Sequence, residues 1–466
     1  MPTRSLRACV IWLLPALCVA IGGATASREQ ILKVTSLPEA PSMEDGPHSF
    51  TTEEDDVSEN AISLRLHHVD ALQEKTTPLR LFEARLQRDA SRVSSINGVV
   101  KRARSVGFNS SVVSGLSQGS GEYFTRIGIG TPARYAYLVL DTGSDLVWVQ
   151  CKPCKRCYVQ KDPIFNPAAS STFSGIPCRS LLCRSLDSAG CDSKRKVCLY
   201  EVSYGDGSFT FGEFSTETLT FRGTRVPSVA LGCGHDDEGL FVGAAGLLGL
   251  GRGRLSFPGQ IGGRFNHKFS YCLSGRSRSS RPSSLMFGDS SVSRLARFTP
   301  LMKNSILDTF YYVQLMGFSV GSIAVPGITA EVFKLDRMGD GGVIIDSGTS
   351  VTRLTRPAYV ALRNAFLVAA RHLKRAPGYS LFDACFDFSG LDEVKVPTVV
   401  LHFKGADVSL PAANYLIPVD NDTRFCFAFA PTGTGLSIVG NIQQQGIRII
   451  YDLANSAVGF ATGSCG

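Results

Sequence analysis

The feature that most constrains this chain is a short pattern that occurs twice. Tyr137-Leu138-Val139-Leu140-Asp141-Thr142-Gly143-Ser144 runs as an apolar strand into Asp-Thr-Gly, and Gly342-Val343-Ile344-Ile345-Asp346-Ser347-Gly348-Thr349 does the same much later. In each copy glycine lets the backbone turn sharply after a carboxylate, and the flanking hydroxyls can hydrogen-bond that carboxylate. One such stretch alone is an ordinary buried strand ending in an Asx-type turn. Two copies suggest duplication, because each is followed by two apolar residues and a glycine, Leu247-Leu248-Gly249 and Ile438-Val439-Gly440. A long-period repeat of this kind predicts two related lobes, each supplying one carboxylate to a shared cleft. Two carboxylates close enough to share a proton cannot both ionise easily, so one serves as acid while the other serves as base, and together they can activate a water.

Further signals fit around this pair. Glu122 to Gly130 alternates and then turns at Thr131-Pro132, which predicts a hairpin leading into the first Asp strand. Trp148 is expected to bury its ring beside the cleft, with its N–H seeking a partner. Leu199–Tyr204 reads as a strand, Gly205-Asp206-Gly207-Ser208 as a tight turn, and Thr210–Phe214 as the returning strand. Gly249-Leu250-Gly251-Arg252-Gly253 superficially resembles a phosphate-cradling loop, but it lacks the Lys-Ser/Thr ending and a βαβ context, so it is read as a turn. A helix is expected from Pro357, with Tyr359, Leu362, Phe366, Ala369 and Leu373 on one face.

Those residues resemble the pepsin-like aspartic proteases, and within them the plant nepenthesin-like group that includes guard-cell aspartic proteases. The resemblance runs from about Gly121 to Cys465 and rests on Asp141-Thr142-Gly143-Ser144-Asp145-Leu146-Val147-Trp148, Tyr204-Gly205-Asp206-Gly207-Ser208, Asp346-Ser347-Gly348-Thr349 and the downstream cysteines. It implies a predominantly all-β, bilobal fold with a cleft between the lobes, and an aspartic-type endopeptidase that needs no cofactor. Asp141 and Asp346 would be the catalytic dyad. Tyr204, with Gly205 and Asp206, would form a flap over bound substrate. Ser144 and Thr349 would hold the outer carboxylate oxygens, while Thr142 and Ser347 cross-bond the two loops from behind.

The first 26 residues carry Arg4 and Arg7, an apolar run from Ala8 to Ile21 and then Ala24-Thr25-Ala26, the layout of a cleaved secretory signal. Apart from Cys9 and Cys18 inside it, the cysteines are Cys151, Cys154, Cys157, Cys178, Cys183, Cys191, Cys198, Cys233, Cys272, Cys385, Cys426 and Cys465. In an oxidising compartment this even set favours six disulfides over a metal site. The residues leave the pairing open; the resemblance suggests local bridges among Cys151 to Cys233, with Cys385 to Cys426 and Cys272 to Cys465 tying the second lobe. Histidines such as His235 and His267 form no ligand-spaced set, so no metal is expected.

Residues 27–117 are expected to form a propeptide, followed by a first lobe at 118–290 and a second at 291–466. Pro78 opens a basic amphipathic helix with Leu79, Phe82, Leu86, Ala90 and Val93 on one face and Arg80, Arg85, Arg88 and Arg92 on the others. Its Arg or Lys residues are suited to cover a carboxylate-lined cleft and keep it ionised, a hold that weakens as pH falls. Asn109 and Asn421 sit in glycosylation sequons. The net charge of +8 is not concentrated into a nucleic-acid-binding face. The chain end at Ser464-Cys465-Gly466 offers no hydrophobic tail for a lipid anchor. The resulting expectation is a secreted, apoplastic or wall-associated monomer, made as a zymogen, acting on peptide or protein substrates at acid pH. The alternative is an inert binding or inhibitor protein on the same fold.

Overall fold

The computed structural model describes residues 27–38, 61–73, 76–105, 123–203, 208–239, 241, 243–274, 283–420, 423–463 and 465. The proposed signal segment, Asn109, Asn421 and the turn residues Tyr204, Gly205 and Asp206 lie outside them. The protein is predominantly β, and its two lobes repeat one local arrangement. In the first, strand Arg134–Asp141 lies beside Tyr123–Ile129, and strand Gly246–Gly249 runs parallel to it with Leu247 opposite Val139 and Leu248 opposite Leu140. In the second, strand Ser437–Val439 runs parallel to Val343–Ile345, with Ile438 opposite Ile344. Both apolar pairs noticed as a repeat therefore lie against the strand that carries their lobe's aspartate. All are buried, consistent with strands that read as continuous apolar runs rather than alternations.

Close packing explains why glycine begins the parallel partner in the first lobe. A Cβ at Gly246 would press into the carbonyl oxygen of Trp148, whose strand Trp148–Gln150 flanks it. The Trp148 ring is fully buried, with edge-on contacts to Phe241 and Tyr158. Its Nε1 finds no hydrogen-bond partner among the described residues, and Leu247, Ile176 and Phe214 belong to the apolar cluster around the ring.

A sheet between the lobes contains strands Lys268–Cys272, Ser283–Phe287 and Ile447–Asp452. The N-terminal segment supplies one of its strands: Ile62–His68 pairs with Ser283–Phe287 on one side and reaches Tyr123–Phe124 on the other. Its alternation puts Ile62, Leu64 and Leu66 into the main core. A second strand, Glu29–Lys33, pairs with Glu393–Pro397 of the second lobe and buries Leu32.

The basic helix spans Pro78–Ser105, but its faces differ from the sequence reading. Ala90 is exposed, whereas Arg85, Arg88 and Arg92 are buried. Apolar burial continues through Leu81 and Ile96 instead. The cationic side turns inward because it faces carboxylates. In the second lobe the helix Arg356–Ala369 buries Tyr359, Leu362 and Phe366; it stops before Leu373, which packs against the core from the turn beyond.

Candidate active site

Asp141 and Asp346 stand at the ends of their strands and are completely buried. The turns that follow tie them down. Gly143 N–H donates to Asp141 Oδ1 at 2.9 Å, and Gly348 N–H donates to Asp346 Oδ1 at 3.2 Å. Thr349 Oγ1 donates to Asp346 Oδ2 at 2.6 Å. The loops are also bonded to each other: Ser347 N–H donates to Thr142 Oγ1 at 2.9 Å, and Thr142 N–H donates to Ser347 Oγ at 3.3 Å. This reciprocal pair fixes the spacing of the carboxylates from behind. Ser144 departs from the expected symmetry. Its hydroxyl adds a weak hold on Asp141 without reaching a well-formed hydrogen bond. Both Asp141 oxygens already have donors, from Gly143 and from a side chain on the opposite face.

That side chain is Arg92, from the N-terminal helix. Its guanidinium is fully buried and donates Nη1 to Asp141 Oδ2 (3.0 Å), Nη2 to Asp141 Oδ1 (2.5 Å) and Asp346 Oδ1 (2.9 Å), and Nε to Asp346 Oδ2 (3.1 Å). A planar fork with fixed donors is suited to bridge two carboxylates at once. Burial pushes the Asp141 carboxyl up, but the Arg92 charge and hydrogen bonds outweigh it and hold that carboxyl below its usual range. Arg92 is in turn held protonated: burial works against its charge, and the two aspartates more than offset it. The turn glycines make room for this approach, since a Cβ at Gly348 would lie 2.7 Å from Arg92 Cζ.

One turn earlier on the helix, Asp89 makes a second buried connection that the sequence reading missed. It accepts the N–H groups of Ser350 (2.8 Å) and Val351 (2.9 Å), and pairs with Arg353. Arg85 pairs with Asp70 at 2.5 Å, anchoring the helix to the turn after the strand Ile62–His68. An acidic residue within a basic helix gave no signal of its own; the spacing of Asp89 and Arg92, on one side of the helix, was the available clue.

The hairpin predicted to overhang the site is present as Val197–Ser203 against Phe209–Phe221, with Ser203 opposite Phe209. The glycine run after Leu248 wraps a carboxylate, with Gly253 N–H donating to Asp145 Oδ1. The structure joins Cys151–Cys233, Cys154–Cys157, Cys178–Cys191 and Cys183–Cys198 in the first lobe, with Cys272–Cys465 and Cys385–Cys426 beyond it. Among the described residues no His/Cys/Asp/Glu group could hold a metal, and no helix is long and apolar enough to cross a membrane.

Residues 123–289 match a family model described as xylanase inhibitor N-terminal, and residues 310–462 one described as xylanase inhibitor C-terminal. Aspartyl protease family protein 2 of Arabidopsis thaliana is 68% identical over 87% of this chain and 86% of its own length. Aspartic proteinase nepenthesin-1 of Nepenthes gracilis is 41% identical over 86% and 90%. Among solved structures, conglutin gamma, a basic 7S globulin from lupine seeds, shares the fold with a TM-score of 0.58 at 20% identity, covering 73% of this chain and 91% of that one. With relatives of that identity and coverage, the chain belongs to the pepsin-like aspartyl proteases of plants, which are aspartic-type endopeptidases.

Proposed function

We propose that this protein is the latent form of a secreted aspartic endopeptidase in which Asp141 and Asp346 work as a dyad on one water, best at acid pH. The observation that carries the reading is the Arg92 guanidinium bonded to all four carboxylate oxygens. Two buried carboxylates pinned side by side are what water activation requires. One takes a proton from the water as it attacks the scissile carbonyl, while the other donates a proton or hydrogen bond to the carbonyl oxygen, giving a tetrahedral diol without a covalent enzyme intermediate. The Thr142–Ser347 cross-bonds keep the two groups in register through that exchange.

Arg92 occupies the space between the carboxylates where water and substrate would have to sit, so residues 27–117 serve as a propeptide. The sign of the pH effect follows from Asp141. Its carboxyl is held low while the helix is docked, so docking is favoured above the carboxyl's undocked range and is lost as pH falls through the docked value. The xylanase-inhibitor descriptions raise the reading of a binding protein on the same fold; the paired motifs and their hydroxyl supports favour the enzyme. The test is hydrolysis of a denatured protein between about pH 2.5 and 7, with and without pepstatin, beside Asp141→Ala. Acid activity lost in both controls supports the dyad; a folded, processed and inactive protein overturns it.

A further inference from the structure

Beside the dyad lies a cavity of about 290 Å³ whose lining includes no described residue of the N-terminal helix. It is lined by Ser144, three positions after Asp141, and reaches Glu201 and Val202 of the strand Val197–Ser203. Its deeper wall is apolar: Leu146, Leu186, Val202 and Leu255 belong to the cluster packed around Trp148. Its rim is charged and contains the exposed carboxylates of Asp187, Glu201 and Asp308, contributed by three separate stretches of chain.

Two observations suggest what enters. Ser144 is only 5% exposed and, beyond its weak hold on Asp141, its Oγ makes no well-formed hydrogen bond among the described residues, so a polar group of a bound chain can satisfy it. Asp145, a half-buried lining residue, accepts hydrogen bonds from Thr309 Oγ1 (2.7 Å) and Gly253 N–H (2.9 Å). The neighbouring charges that bear on it are those of Asp308 and Asp187, which add to burial in pushing its carboxyl up to about 6. Arg184 and Arg254 also line the cavity, but its lining holds four carboxylates, Asp145, Asp187, Glu201 and Asp308, to those two guanidinium groups.

We propose that this cavity is a substrate subsite selecting a lysine or arginine side chain near the scissile bond, with Asp187 and Asp308 as specificity-determining residues. An aliphatic stem lies along Leu146, Leu186 and Leu255 while the cationic end reaches the acidic rim, dividing a long basic side chain as its own chemistry is divided. The inference rests on the proposed dyad and adds a substrate class to it.

The test uses the acid-activated full-length protein and a peptide series in which lysine or its uncharged isostere norleucine is placed at each position around one cleavable bond. At one position kcat/KM for lysine should exceed that for norleucine by about fivefold or more. Asp187→Asn with Asp308→Asn should remove most of that preference, lowering kcat/KM for the lysine peptide far more than for the norleucine peptide. The proposal is overturned if no position prefers lysine over norleucine, or if the double variant keeps the preference. Cleavage that depends on Asp141 but shows no such preference would sink the subsite alone. Absence of Asp141-dependent cleavage would remove the dyad and the subsite together.

Discussion

Replacing Arg92 by alanine removes four hydrogen bonds and leaves two fully buried carboxylates facing each other without a counter-charge. Breaking a buried ion pair by deleting one partner costs about 3–5 kcal/mol, because the remaining charge is stranded in low dielectric. Here the carboxylates can share a proton once the cation is gone, which places the cost near the lower figure. The helix also keeps its apolar contacts, Phe82 and Leu86 on one cluster of the second lobe and Val93 and Ile96 on another. The docking equilibrium should therefore shift by about two orders of magnitude without the helix being lost. The assay is turnover of a short fluorogenic peptide by unprocessed full-length protein near pH 6, where the native chain is expected to be latent. Arg92→Ala should raise that turnover strongly, Arg92→Lys less so, because lysine keeps the charge but not the fork. Equal latency of Arg92→Ala and native chain, with equal activity after acid processing, would refute the idea that this guanidinium holds the site closed.

Other consequences are as direct. Asp141→Asn and Asp346→Asn should each lower kcat by about a thousandfold or more in the processed enzyme, measured on a denatured protein substrate. Asp89→Ala strips the acceptor from Ser350 N–H, Val351 N–H and the buried Arg353, and should destabilise the latent form by about 3 kcal/mol in thermal unfolding while leaving the processed enzyme unaffected. Brief exposure of the unprocessed chain to acid should expose activity that disappears again on return to neutral pH, because Asp141 regains the charge that holds Arg92; activity that persists in an uncleaved chain would count against this. Gly246→Ala should fail to accumulate as folded protein, since the added methyl presses on the Trp148 backbone, as assayed by soluble yield.

Much of the fold was legible because duplication leaves two copies to compare. The strands ending in Asp141 and Asp346 announced themselves by an apolar run stopped at Asp-Thr/Ser-Gly, and their parallel partners by an apolar pair and a glycine. The hydroxyl network was readable in Thr142, Ser347 and Thr349 because a short side chain beside a turn has few other places to bond. What was not legible depended on partners far away in sequence. A basic helix over a carboxylate-lined cleft was legible, but which arginines enter it was not: periodicity only sets Arg85, Arg88 and Arg92 off the apolar face, and the carboxylates opposite them bury side chains whose usual home is solvent. Asp89 was silent for the same reason: its partners are two backbone N–H groups and an arginine more than 250 residues away.

The N-terminal segment is bound to the protein in two chemically different ways, and this bears on how latency is released. The helix Pro78–Ser105 adds ions to the apolar contacts of Phe82, Leu86, Val93 and Ile96: Arg92 on the two aspartates and Asp89 on Arg353. The strands Glu29–Lys33 and Ile62–His68 hold through backbone pairing and the burial of Leu32, Ile62, Leu64 and Leu66, none of which carries a titratable charge. Acid weakens the charge on Asp141 that Arg92 needs, but it does not weaken a β ladder. Protonation alone thus uncovers the carboxylates while leaving the segment tethered through the sheet between the lobes. Only cutting the connection after the helix makes the opening permanent, because an intact tether keeps Arg92 at high local concentration beside the site it closes.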